Sequence, residues 1–176
     1  VEDGPLSVDL QAVLQEAPTY LPQLKRLPIA VNVGLSEALN IGLKNATHNW
    51  VARMDSDDIC LPQRFEKQIG YLKNHPEMVI LGGWIAEFET NQNKLSALRK
   101  VPETAEEILK YAKWRCPFNH MTVFLKRDVI NQLGAYRSAP GNHRGFGDDY
   151  ILWANVLMKG HPVANLQAVL VNVRTN

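Results

Sequence analysis

The chain is poor in cysteine and almost without net charge, and both shortages exclude whole classes of function. Cys60 and Cys116 stand alone, with no partner at metal-ligating spacing, so neither a zinc site nor a disulfide framework is expected. Both read as reduced, partly buried thiols in a reducing compartment. Nineteen Lys and Arg face eighteen Asp and Glu, which leaves a formal charge of +1. Binding of nucleic acid through bulk charge needs a basic field that this composition does not supply. No run of about eighteen apolar residues occurs, so no segment reads as a membrane-spanning helix. No signal-peptide pattern opens the chain, and internal repeats, low-complexity runs and linkers are also missing. What is present is 176 residues, 45% hydrophobic and 21% charged, the make-up expected of one globular domain, 1–176, with a proper core.

Strand-like and helix-like segments alternate. Apolar spacing predicts a short amphipathic helix over 8–17, a strand over 28–33, and a helix over 35–46 with Ser36 as a possible cap. A strand over 49–54, a helix over 64–74 and a strand of the doubly buried type from 78 follow. Such βαβα order predicts a mostly parallel sheet covered by helices. Further on, a polar turn at 91–94 precedes a helix over 104–114, a strand over 121–125, a helix over 127–133, a helix over 148–159 and one or two strands over 163–173. The segment 138–147, rich in Gly, Pro, His and Asn, has the length and composition of a substrate loop. Val1-Glu2-Asp3-Gly4-Pro5 reads as a strand's end running into a turn, so an N-terminal piece is expected to precede it.

The chemistry concentrates in Met54-Asp55-Ser56-Asp57-Asp58, three carboxylates at the end of a predicted strand. Ionised carboxylates so close repel one another unless a cation sits among them, and a hard ion such as Mg²⁺ or Mn²⁺ takes oxygen ligands while leaving positions for phosphates. In an open α/β sheet ligands collect outside the carboxyl ends of strands. The plainer reading is an acidic loop in which Asp57 or Asp58 caps the following helix. A second acidic pair, Asp148-Asp149, opens the helix after the Gly-rich loop. The helix dipole alone favours acids there. Two of them beside a buried aromatic also suit an acid at a cleft, where a carboxylate can take a proton from an attacking hydroxyl.

Five segments together resemble the family 2 glycosyltransferases: 32–42, 51–58, Pro62-Gln63-Arg64-Phe65-Glu66-Lys67-Gln68, Pro117-Phe118-Asn119-His120-Met121-Thr122-Val123, and Asp148-Asp149-Tyr150-Ile151-Leu152-Trp153. Their order and spacing match over about 1–173. The resemblance implies a GT-A fold, a three-layer α/β/α sandwich with a mostly parallel sheet, here lacking the family's first strand and helix. It implies inverting transfer of a sugar from a nucleotide diphosphate donor to a saccharide or lipid-linked saccharide, with Mn²⁺ or Mg²⁺. By the same likeness Asp3 contacts the nucleotide base, Asn32 and Gly34 line the nucleotide pocket, and Asp55 and Asp57 form the D-x-D signature. Asp57 then holds the metal, Asp55 binds ribose, metal or both, and Asp58 serves as helper or cap. Asp149 matches the catalytic base, with Asp148 beside it where the family usually has Glu. Ile151, Pro5 and Met121 also depart from the pattern.

A family setting of this kind implies work at the cytoplasmic face of a membrane on a surface polysaccharide, with peripheral membrane association. Two rival readings stand beside it: a nucleotidyltransferase-like enzyme, and a non-catalytic nucleotide-binding domain derived from a transferase. Secondary candidates are His120, near phosphates or acceptor; His143 and Arg144, in the Gly-rich loop; and Arg53, poised to pair with a neighbouring carboxylate. Trp84, Trp114 and Trp153 suit sugar stacking, with core packing the plainer reading for each.

Overall fold

The computed structural model describes residues 1–138 and 147–175. His143, Arg144 and most of the expected substrate loop lie outside them. The chain divides into two compact units, one of residues 1–47 and 136–148, the other of 48–135 and 149–176.

In the first unit, β1 (Glu2–Asp3) pairs in parallel with β2 (Pro28–Ile29). The strand expected over 28–33 is only two residues long because the chain then turns aside. Val33 and Gly34 give their amides to the Asp3 carboxylate at 2.7 and 3.1 Å instead of to a ladder. Helix α1 (Val8–Glu16) is capped by the Ser7 hydroxyl, which accepts from Leu10 N at 3.3 Å. It buries none of its residues. Helix α2 (Leu35–Asn45) buries Ala38 and Leu43, and its N-cap is Gly34, not Ser36. Gly4 is required here: its φ is +98°, and a Cβ would meet Asn32 N at 3.2 Å.

The second unit is built on a sheet of β3 (Trp50–Ala52), β4 (Ile59–Cys60), β5 (Ile80–Phe88), β6 (Leu95–Arg99), β7 (Phe124–Lys126) and β8 (Val163–Arg174). The strand order is β3-β7-β5-β8-β4, with β6 also on β5. Helices α3 (Arg64–Asn74), α4 (Ala105–Tyr111), α5 (Arg127–Gln132) and α6 (Asp148–Met158) complete the elements. Strands and helices alternate as expected, but only β5 and β8 pair in parallel in this sheet. The expectation of mostly parallel pairing is corrected at β6, β7 and β4. A tight turn at Asn91–Lys94 returns β6 directly beside β5, and a hairpin can only be antiparallel.

Two glycines let β8 approach β5. A Cβ on Gly82 would fall 2.3 Å from Asn165 Oδ1, and one on Gly83 would fall 2.4 Å from a Leu170 methyl. Between Gly83 and Trp84 the register jumps from Leu166 to Val169, so Gln167 and Ala168 bulge out of the ladder. Asn119 and Thr122 fill the gap: Asn119 Nδ2 donates to Gly83 O at 2.8 Å and Gly83 N donates to Thr122 Oγ1 at 3.0 Å. That is why 120–122 forms a 3₁₀ turn and the strand expected from Met121 begins only at Phe124. Leu72, Leu81, Phe124 and Ala164 form one buried cluster and Ile85, Leu170 and Val171 another.

Candidate active site

The acidic loop leaves β3 through Arg53, a buried arginine whose N–H donates to Val123 O at 2.9 Å. Strand alternation puts Arg53 and Asp55 on one side, and their side chains meet in a fork. Nη1 reaches Asp55 Oδ2 at 2.6 Å and Nη2 reaches Oδ1 at 2.5 Å. Both Asp55 oxygens are therefore engaged. Beneath the fork lies Arg64, 0% exposed, whose Nη2 donates to the Arg53 carbonyl at 2.8 Å. Its Nε donates to Gln68 Oε1 at 3.0 Å, and Gln68 Nε2 donates to Leu81 O and Thr122 O at 3.0 and 2.8 Å. One buried arginine and one buried glutamine thus tie the start of the acidic loop to β5 and to the 3₁₀ turn.

Asp57 and Asp58 differ. Asp57 is exposed, and among the described residues no hydrogen bond or ion pair ties its carboxylate down. Asp58 Oδ1 accepts from Arg174 N at 3.0 Å, while Oδ2 is buried without a partner. Burial raises the Asp58 pKa, and the charges of Asp55 and Asp57 raise it further. Neither residue caps α3, whose N-cap is Gln63. An orphaned buried carboxylate oxygen beside a free carboxylate fits a hard divalent cation. Among the described residues no three His, Cys, Asp or Glu converge as a metal cage.

At the start of α6 the two acids separate. Asp149 is half-buried; its Oδ1 accepts from Tyr150 N at 2.8 Å and its Oδ2 lies 3.7 Å from Cys116 Sγ. Cys116 also donates to Phe118 O at 3.3 Å. Although Cys116 as a residue is exposed, the protein around its sulfur and the neighbouring Asp149 charge push the thiol up to about 11. Behind Cys116 lies Trp153, fully buried, its side chain against the sulfur. The Trp153 ring meets His120 edge-on at 5.6 Å and 77°. Burial holds the His120 pKa well below its usual value, and the charge of Arg53 adds to this. His120 is thus a neutral imidazole. Within this unit contacts run from Asp149 to Cys116, through Phe118 and Trp153 to His120, and then by way of Val123, whose N–H donates to His120 O and whose carbonyl accepts from Arg53 N, to Arg53 and Asp55.

Asp148 belongs with the other unit. It is buried, and its Oδ2 accepts from Ser138 Oγ at 2.6 Å and from the Ser36 hydroxyl. Ser36, expected as a helix cap, instead anchors this carboxylate. Asp3, Asn32 and Gly34 do come together: Asp3 takes the Val33 and Gly34 amides, and Asn32 Nδ2 donates to Asp3 O at 3.2 Å. Sequence reasoning did not find the Arg64–Gln68 clamp or the Cys116–Asp149 contact. An arginine and a glutamine four apart on an otherwise amphipathic helix were the available signal for the first; nothing local signalled the second.

The Glycosyl transferase family 2 model matches residues 1–134. The amylovoran biosynthesis glycosyltransferase AmsE of Erwinia amylovora is 44% identical over 174 residues, covering 99% of this chain and 62% of the relative. The Escherichia coli UDP-Gal:alpha-D-GlcNAc-diphosphoundecaprenol beta-1,3-galactosyltransferase is 37% identical, covering 99% and 61%. The chain thus spans about 62% of the length of these relatives. Among solved structures, the mannosyltransferase PcManGT of Pyrobaculum calidifontis, in complex with GDP-Man and Mn²⁺, superposes with a TM-score of 0.66 at 17% identity, over 99% of this chain and 46% of that one. TarS 1–349 of S. aureus with UDP-GlcNAc gives 0.65 at 17%, over 99% and 48%. No helix among the described residues is long and apolar enough to cross a membrane. The chain belongs to glycosyltransferase family 2 and has the GT-A fold.

Proposed function

We propose that the protein transfers a glycosyl group from a nucleoside-diphosphate sugar to an acceptor hydroxyl with inversion, as a step in building a surface polysaccharide. The observation that carries this reading is the contact path inside one unit from Asp149 to Asp55, which ties a proton-accepting carboxylate to the acidic loop. Asp149, half-buried and held by the Tyr150 amide and the Cys116 thiol, takes the proton of the acceptor hydroxyl. The acceptor oxygen then attacks the anomeric carbon from the face opposite the nucleotide. The bond to the diphosphate breaks, and its electron pair leaves with the diphosphate oxygen. Asp57, with Asp58 beside it, would hold Mg²⁺ or Mn²⁺, which when bound supplies charge to the leaving diphosphate. Asp55, locked by Arg53, offers its carboxylate edge in a fixed direction and suits the ribose better than the ion. Neutral His120 can hydrogen-bond donor or acceptor without adding charge. Asp3, Asn32 and Gly34 would hold the nucleotide, and Asp148 anchors the start of α6.

The names of the relatives support the setting. One belongs to amylovoran biosynthesis and one acts on a diphosphoundecaprenol-linked sugar. The diphosphoundecaprenol in the second name supports a lipid-linked acceptor, and the reading places the reaction at the inner face of the membrane. The test is calorimetry and a nucleotide-sugar screen on the full-length protein, comparing Asp57→Asn with the parent. The variant removes charge and not volume, so loss of Mn²⁺-dependent nucleoside-diphosphate binding is expected with the fold intact. A variant that binds metal and nucleotide as tightly as the parent refutes the metal assignment.

A further inference from the structure

We propose that the groove over the C-terminal end of α4 binds a neutral pyranose ring of the acceptor saccharide, with Trp114 as its stacking platform. This rests on the glycosyltransferase reading above and adds a subsite to it. Of the three tryptophans that sequence allowed as sugar platforms, the structure separates one. Trp153 is fully buried, and Trp84 is half-buried beneath the Lys100 ammonium, 4.7 Å from its ring. Trp114 is 87% exposed, a large aromatic surface left in water at the edge of a groove of about 610 Å³. Glu103, Glu107, Tyr111 and Gln167 also line that groove, Gln167 standing in the bulge of β8.

The lining chooses the ligand class. A pyranose has one face of C–H groups, which lies against an aromatic ring, and a rim of hydroxyls that donate to carboxylates and amides. Glu103 and Glu107 repel phosphate, and Lys110, which also lines the groove, has its ammonium on Glu106 at 2.7 Å, so a diphosphate or a nucleic acid suits the place less than a neutral sugar. Position supports the acceptor over any unrelated sugar. Trp114 N donates to Tyr111 O at 3.0 Å, and two residues on, Cys116 lies 3.7 Å from Asp149. The Tyr150 hydroxyl donates to Ala112 O, joining the same helix end to the residue after the base. The segment that carries Trp114 is thus tied at Ala112 and at Cys116 to the residues that open α6, the proposed proton acceptor among them.

The test uses the full-length protein labelled with ¹⁵N and three probes: methyl α-glucopyranoside, methyl β-galactopyranoside and methyl N-acetyl-α-glucosaminide. The Trp114 indole signal is assigned by its loss in Trp114→Phe. At least one probe at millimolar concentration is expected to move that signal while the Trp153 signal stays in place. UDP and GDP with Mn²⁺ should leave it unmoved. Trp114→Phe keeps a ring and keeps saccharide binding, whereas Trp114→Ala raises the acceptor KM by about tenfold or more. An indole signal unmoved by all three probes overturns the proposal, as does a Trp114 that acrylamide cannot quench because another part of the full chain covers it. The two readings fail separately: sugar binding at Trp114 with no transfer to any acceptor removes the proposed function and keeps the subsite, while transfer that is indifferent to Trp114→Ala does the reverse.

Discussion

Asp149→Asn tests the proposed base twice, because Asp149 leaves a mark on a neighbour that can be read without any substrate. The replacement keeps the shape of the side chain and the acceptor that Oδ1 presents to Tyr150 N at 2.8 Å. What it removes is a negative charge 3.7 Å from Cys116 Sγ and the ability to take a proton. Burial is the larger cause of the raised Cys116 thiol and survives the change; the Asp149 charge is the next cause and does not. With the thiol at about 11, roughly one Cys116 in a thousand is thiolate at pH 8. Loss of the Asp149 charge should lower that pKa and raise the thiolate fraction.

Two assays then read the two consequences. Iodoacetamide alkylation of Cys116 at pH 8, followed by mass spectrometry with Cys60 as internal control, should be faster in the variant than in the parent. Transfer by the full-length enzyme should fall by about 10²–10⁴, the usual contribution of a general base, with donor binding little changed. Unchanged transfer would move the base elsewhere, and loss of donor affinity would make Asp149 a binding residue. Unchanged alkylation with unchanged transfer would refute the geometry itself, since the charge would then not reach the sulfur.

Two further outcomes follow from the same network. Arg64→Ala removes the donors that hold Arg53 O and Gln68 Oε1, so urea unfolding should show a loss of about 3 kcal/mol, at about 1.5 kcal/mol for each hydrogen bond to a charged group; a loss below about 1 kcal/mol would mean that the clamp carries no load. His120 has its folded pKa depressed, so below about pH 6.5 the unfolded chain binds the proton more readily and stability falls with acidification. The stability gap between the parent and His120→Gln should therefore narrow from pH 7 to pH 5, and a constant gap would show that His120 is not held neutral. Asp58 acts with the opposite sign, its raised pKa adding stability at low pH that is lost as pH rises through its folded value.

The elements that sequence exposed best were those whose own residues decide them. The helix expected over 64–74 is α3 to the residue, and the chain breaks at His75-Pro76, but the face it buries is Arg64, Gln68 and Leu72, with Phe65 and Ile69 exposed. The strands were less legible, since a ladder depends on its partner. The segment 28–33 has strand composition but surrenders its last amides to Asp3, thirty residues away in sequence. Strand direction was illegible for the same reason: alternation of β and α says nothing of which edge a returning strand takes. Of the site, the acidic clusters stood out in sequence, with helix capping as the plainer reading of both. Their differentiation did not. That Asp55 is forked by Arg53, Asp58 half-orphaned and Asp57 free depends on Arg64, Arg174 and His120, which come from three separate elements.

Charge accounting explains why those three elements are needed. The loop brings three carboxylates within four residues, and one guanidinium, Arg53, is committed to the first of them. Three negative charges less one positive leave two, the charge that a divalent cation balances. That balance holds only while the Arg53 guanidinium stays directed at Asp55. A protonated His120 would compete by repelling it, and the burial that keeps His120 neutral removes this competitor. Arg64, buried beneath, fixes the Arg53 backbone through its carbonyl, so that the guanidinium swings from an immobile point. His120 and Arg64 thus act on the acidic loop without supplying a ligand to it. One sets the charge around Arg53 and the other its position, and Asp57 is left as the carboxylate with both oxygens to give.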